Sequence, residues 1–196
     1  MFFHGADMFT LIKALVIGLA LSFSCFAEPA QNKHVDPATG ITSWEINSQG
    51  VNFSLTQILP EQAKAFYVNR GFTLKQTESF ASSCVYMTIM RNDTAPGTVH
   101  FIKRNWSIIS DNKSYPPVSV ATWLKKLKDN NVNKTALIAF RWAQFPPEQE
   151  FEVGGDWNQG MLSIGLPANN VFDLIVRWDI NGKEYNATLK GVQCAK

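Results

Sequence analysis

Histidine, paired cysteine and long apolar runs are scarce in this chain, and each shortage removes a class of function. Of the three histidines, His4 lies near the start and His34 in a polar stretch. His100 is left as the one in an ordered segment, so a three-histidine metal centre or a Ser-His-Asp triad lacks material. There is no Cys-x-x-Cys, no Gly-x-Ser-x-Gly and no glycine loop ahead of a helix to cradle phosphate. Thiol redox chemistry, hydrolase chemistry of that type and nucleotide binding therefore have no motif behind them. Eighteen Lys and Arg face 16 Asp and Glu with no basic block, which argues against nucleic acid as a partner. Beyond residue 27 no apolar stretch approaches the roughly 20 residues of a membrane-spanning helix, so the chain is not expected to span a membrane.

What is present begins with a leader. Lys13 is followed by an apolar run that ends in Cys25-Phe26-Ala27, which reads as a secretory signal peptide over residues 1–27 with cleavage near Ala27. Met8 competes with Met1 as the start, since Met1 to Asp7 carries an acid and no Lys or Arg. Lipidation at Cys25 is the rival fate of this segment, although Ser22-Phe23-Ser24 lacks the usual lipoprotein pattern. The protein is thus expected to be periplasmic or secreted, where disulfides persist. The exported form keeps two cysteines, Cys84 and Cys194, and they are expected to pair. The bond would close a loop of about 110 residues, worth roughly 4 to 5 kcal/mol through chain entropy.

Residues 28–41 are polar and read as a flexible tether, and 42–196 as one folded domain. Most segments carry strand signals. Val51, Phe53 and Leu55 alternate with polar residues. Val85 to Met90 and Val99 to Phe101 flank the turn-forming stretch Asn92–Gly97, which predicts a hairpin, and Ala136 to Phe145 is apolar on both faces as a central strand would be. Met161 to Leu166 is a further short strand. Phe172 to Ile180, Asn181-Gly182 and Lys183 to Cys194 form the clearest local signal, because Asn-Gly accepts the positive φ angles of a two-residue hairpin turn. Two segments read as helices: 60–70, with Pro60 in the first turn and Gly71 as a stop, and 120–128, capped by Ser119. No internal repeat stands out. The pattern predicts a mainly β fold, a single-domain antiparallel β-sandwich with two short helices.

Candidate functional residues are few. Gly154 to Gly160 is the most unusual stretch, and Asp156, Trp157, Asn158 and Gln159 within it combine an aromatic plate with polar groups suited to a protein or glycan ligand. Glu148, Glu150 and Glu152 alternate just upstream, as on a charged strand edge. Pairing one of them with Asp156 as catalytic acids is the weakest reading. In the expected hairpin Met90 and His100 lie opposite or diagonal, a soft pair that suits copper(I), with Met87 or Met161 as further donors. Trp142 and Trp178 sit on apolar stripes and are expected in the core. The chain thus reads as an exported non-enzymatic binding or envelope-accessory domain, with copper(I) handling as the alternative.

Overall fold

The computed structural model describes residues 1–2 and 30–196. The segment read as a signal peptide, its cleavage point and Cys25 lie outside the described residues. In chain order the elements are β1 (Gln31–Val35), β2 (Thr42–Ser48), β3 (Val51–Ile58), α1 (Pro60–Val68), α2 (Leu74–Ala81), β4 (Val85–Asn92) and β5 (Val99–Ile102). A 3₁₀ turn (Lys103–Asn105) follows, then β6 (Ser107–Ser110), β7 (Lys113–Tyr115), α3 (Val120–Asp129) and α4 (Lys134–Ala143). The chain finishes with β8 (Glu148–Phe151), β9 (Asp156–Ser163), β10 (Val171–Ile180) and β11 (Lys183–Gln193).

These form the expected mainly β body with two antiparallel sheets. Sheet A has the order β1-β2-β3-β4-β9, and sheet B runs β7-β6-β10-β5-β8 with β11 on the other side of β10. The sheets pack through the alternating residues of their strands. Trp44, Phe53, Leu55, Tyr86 and Met90 come from sheet A, and Phe101, Phe172, Leu174, Val176 and Trp178 from sheet B, all buried in one core. Rings meet edge to face across it, Tyr86 against Phe172 at 5.9 Å and Phe53 against Trp106 at 5.3 Å. The last hairpin forms as the sequence indicates, with Asn181 and Gly182 at φ +52° and +80° and Ile180 paired to Lys183.

Among the described residues four helices, rather than two, occupy the outer face of sheet A. α1 and α3 begin where the sequence places them, with Pro60 at the first turn and the Ser119 hydroxyl accepting from the Thr122 amide at 3.0 Å. α2 and α4 complete two helical hairpins, and these repeat at a spacing of sixty residues. Tyr67, Gly71, Phe72, Thr73 and Phe80 occupy the places of Leu127, Asn131, Val132, Asn133 and Phe140. In both, a positive-φ residue (Gly71 at +87°, Asn131 at +58°) ends the first helix. A buried apolar residue follows, and then Thr73 or Asn133 caps the second helix. The hairpins face each other reciprocally: Gln76 of the first donates to the Asn130 and Asn131 carbonyls of the second turn, and Asn133 of the second donates to the Gly71 carbonyl of the first. Their apolar faces join Val85 and Met161 from the outer face of sheet A in a second core.

Several local expectations give way to this arrangement. Residues 136–145 are not a central strand: Ala136 and Phe140, one turn apart, are buried, while Trp142 is 83% exposed instead of lying in the core. Helix-favouring Ala, Leu and Arg and the Asn133 cap outweigh the apolar run. The stretch 28–41, read as a tether, supplies β1, which pairs with β2 along its whole length. The hairpin expected around Asn92–Gly97 does not form either, because that turn crosses between sheets. β4 pairs with β3 and β9, and β5 with β10 and β8. Buried Asn92 holds the crossing, its amide donating to the Gly97 and Phe151 carbonyls and its carbonyl oxygen accepting from the Ala95 amide.

Cys84 and Cys194 are disulfide-bonded, with α-carbons 5.1 Å apart and a sequence separation of 110. The bond ties the start of β4 in sheet A to the end of β11 in sheet B. Replacing both cysteines with serine is expected to lower unfolding free energy by about 4 kcal/mol. Urea denaturation of the variant and the oxidised protein, with the reduced wild type matching the variant, checks this.

Candidate functional site

A break in strand pairing creates a chemically varied hollow on the described surface. On one side β10 is paired with β11 along its length, with one register shift between Phe172 and Leu174, but on the other it meets β6 only over Asp173–Ile175 and β5 only over Asp179–Ile180. Between these two ladders the 3₁₀ turn pulls the neighbouring strand away. The exposed carbonyl of Arg177 is satisfied instead by the buried Trp106 indole, which donates to it at 2.9 Å. The Arg177 guanidinium folds over the gap and donates to the Asn105 carbonyl at 2.7 Å and the Ser107 hydroxyl at 2.9 Å. What remains is a cleft of about 380 Å³ on the outer face of sheet B. His100, Arg177, Asp179, Glu184 and Asn186 supply its polar wall and Ile102 its apolar part, while Tyr185 turns its ring to the inner face beside Trp178.

The charges in this cleft follow from register. Glu184, Asp179, His100 and Glu150 lie in one row across β11, β10, β5 and β8, all on the outer face. The His100 Nδ1 lies 2.9 Å from Asp179, and its Nε2 lies 3.1 Å from Glu148, two residues from Glu150 on the same face of β8. Both carboxylates favour the imidazolium, the hydrogen bond to Glu148 most, and hold the His100 pKa above its ordinary value. With both ring nitrogens engaged by carboxylates, the His100 ring is held in the wall, and no hydroxyl or thiol is bonded to it as a nucleophile would be.

The same turn buries a lysine. Lys103 is 5% exposed, and its ammonium donates to the Phe145 carbonyl at 2.9 Å. Removal from water pushes its pKa down to about 8.

The residues singled out from sequence are distributed differently. Asp156 to Gln159 belong to β9, not to a loop, and the turn proper is confined to the residues around Gly154 and Gly155, with φ of +101° and +96°. Asp156 accepts from the amides of Glu152 and Trp157 and so caps that turn. Asn158 donates to Gln149 of the facing sheet. Trp157 is half exposed beside Arg91 of β4, and Gln159 is exposed opposite Ile89. Gly160 is required by packing: a β-carbon there would strike the backbone of Gln144 and Phe145. The strand alternation therefore sends Trp157 and Gln159 to one face and Asp156 and Asn158 to the other, and the four do not converge.

Met90 and His100 are likewise separated. Met90 is buried in the sandwich core and His100 stands on the far outer face, so the hairpin geometry that would join them around copper(I) does not occur. Among the described residues no group of three or more His, Cys, Asp or Glu is arranged to hold a metal ion. The cleft itself was hidden in the sequence, because His100, Arg177 and Glu184 are distant positions joined only by register. Compared with models of protein families, with curated proteins and with solved structures, the chain matches none.

Two pH effects are expected. His100 has a folded pKa above its unfolded value, so its stabilising contribution is complete below the unfolded value of about 6.5 and fades as pH rises through the folded one. His100→Gln should therefore lose more stability against wild type at acidic than at alkaline pH in urea melts. Lys103 has the opposite sign: its folded pKa is depressed, so the unfolded chain holds the proton more tightly above pH 8 and stability recovers as pH rises. Between pH 7.5 and 9.5 wild type should gain about 2 kcal/mol relative to Lys103→Met in the same assay.

Proposed function

We propose that this protein is an exported, non-enzymatic binding domain whose recognition surface is the cleft in the outer face of sheet B. The observation that carries this reading is the interrupted pairing of β10, which leaves an open hollow lined by both charge signs and by hydrogen-bond donors and acceptors. A protein loop or a glycan offers matching polar groups, and Ile102 supplies the apolar surface against which a sugar ring or side chain packs. Export is supported by the leader-like segment and by a disulfide that an oxidising compartment maintains. The cleft takes over the role that the sequence suggests for Asp156 to Gln159, whose side chains diverge.

Glu184 and Asn186 are exposed members of the cleft wall, so they are changed without disturbing the core. A photo-crosslinking residue at Asn186, set against one at Trp157, tests the surface in cells under envelope conditions, alongside glycan-array binding of the purified protein. The expected result is a discrete adduct or glycan from the Asn186 side, weakened about tenfold or more by Glu184→Lys. Adducts from Trp157 alone, or binding indifferent to Glu184→Lys, would overturn the assignment.

A further inference from the structure

The helical layer carries a second surface of different chemistry. On α4, Ile138 and Trp142 are one turn apart and 50% and 83% exposed, while Ala136 and Phe140 fill the core. Leu124 of α3 joins Leu137 and Ile138 in the floor of a shallow hollow of about 390 Å³. Lys125, Lys128, Lys134 and Arg141 form its rim. The acid nearest in sequence, Asp129, is bonded to Lys125 at 2.8 Å and leaves the other three cations uncompensated by it.

Charge is also segregated on the scale of the whole molecule. Residues 60–81 and 120–143, the two helical hairpins, hold eight Lys and Arg against three Asp and Glu, whereas the rest of the described chain holds nine against eleven. The helices cover the outer face of sheet A, and the acidic row Glu184, Asp179 and Glu150 lies on the outer face of sheet B. The protein therefore presents a positive, aromatic-bearing side and a more acidic side turned the other way, an arrangement that orients it in the field of an anionic surface.

We infer that the α3–α4 face docks the protein on an anionic lipid surface, with Trp142 and Ile138 entering the headgroup region and Lys128, Lys134 and Arg141 meeting lipid phosphates. An amphipathic ring beside basic side chains is the composition that settles at a membrane interface. A lipid surface is favoured over an acidic amphipathic helix because the hollow is shallow and Trp142 stands outside its wall, proud of the surface. In this orientation the sheet B cleft faces away from the bilayer, open to a soluble ligand.

Vesicle sedimentation tests this with phosphatidylcholine alone and with about one third phosphatidylglycerol added, using the full chain. Partition onto the anionic vesicles is expected to be at least about tenfold stronger, and to fall as salt rises. Lys128→Glu with Arg141→Glu should abolish the preference, and Trp142→Phe should remove most of the quenching of tryptophan fluorescence by brominated lipid. All variants keep the apolar residues 14–24, so differences among them report this face and not that segment; an unchanged thermal melt shows that the exposed substitutions leave the fold intact. Equal partition onto both vesicles, indifference to the charge reversals, or capture of an acidic amphipathic peptide on this face without lipid binding would overturn the inference.

Discussion

The Cys84–Cys194 bond stands where all three layers of the protein meet. α2 ends just before Cys84, and the first two residues of β4 then part company, Val85 into the helical core and Tyr86 into the sandwich core. At the other end of the bond lies the last turn of chain after β11. Cys84 itself sits at a φ of +56°, a region a non-glycine residue adopts only when its surroundings demand it. The junction is reinforced by polar groups from sheet A that reach the same point of sheet B. Tyr86 and Gln57 both donate to the Gln193 carbonyl, at 2.6 and 2.7 Å. One covalent tie and two hydrogen bonds thus join sheet B to sheet A at the point where α2 gives way to β4.

With sheet B held in this way, the interrupted edge beside β10 forms the hollow proposed as the recognition surface. The 3₁₀ turn after β5 replaces backbone pairing with a buried indole and a buried ammonium, and both are satisfied by carbonyls: Trp106 by Arg177, Lys103 by Phe145. A continuous strand here would close the cleft. Its interruption costs ladder hydrogen bonds and the desolvation of a lysine. His100, Asp179 and Glu148 then fix charges on the cleft's wall.

Features encoded over a few residues were legible in the sequence. Asn181-Gly182 declares its hairpin, Pro60 and Ser119 declare their helices, and the two cysteines beyond the leader-like segment declare the bond. Features that depend on distant partners were not. The Asn92–Gly97 turn looks like any hairpin turn until the carboxamide of Asn92 is seen to bond Phe151. Residues 136–145 have the apolar density of a central strand, and only the Asn133 cap and the Ala136 and Phe140 spacing mark a helix. The two helical hairpins share a pattern of turn, apolar residue and cap but few identities, so their repeat emerges from φ angles and caps more than from letters. The proposed cleft is the extreme case, since its row of charges is created by strand register alone.

The tie between the sheets is tested most directly by peptide mapping without reduction on protein isolated under conditions that block thiol exchange. The structure requires one linked peptide pair containing Cys84 and Cys194, with both thiols resistant to alkylation until reductant is added. Ready alkylation of either residue in the folded, unreduced protein, or linkage of either to Cys25, would contradict it.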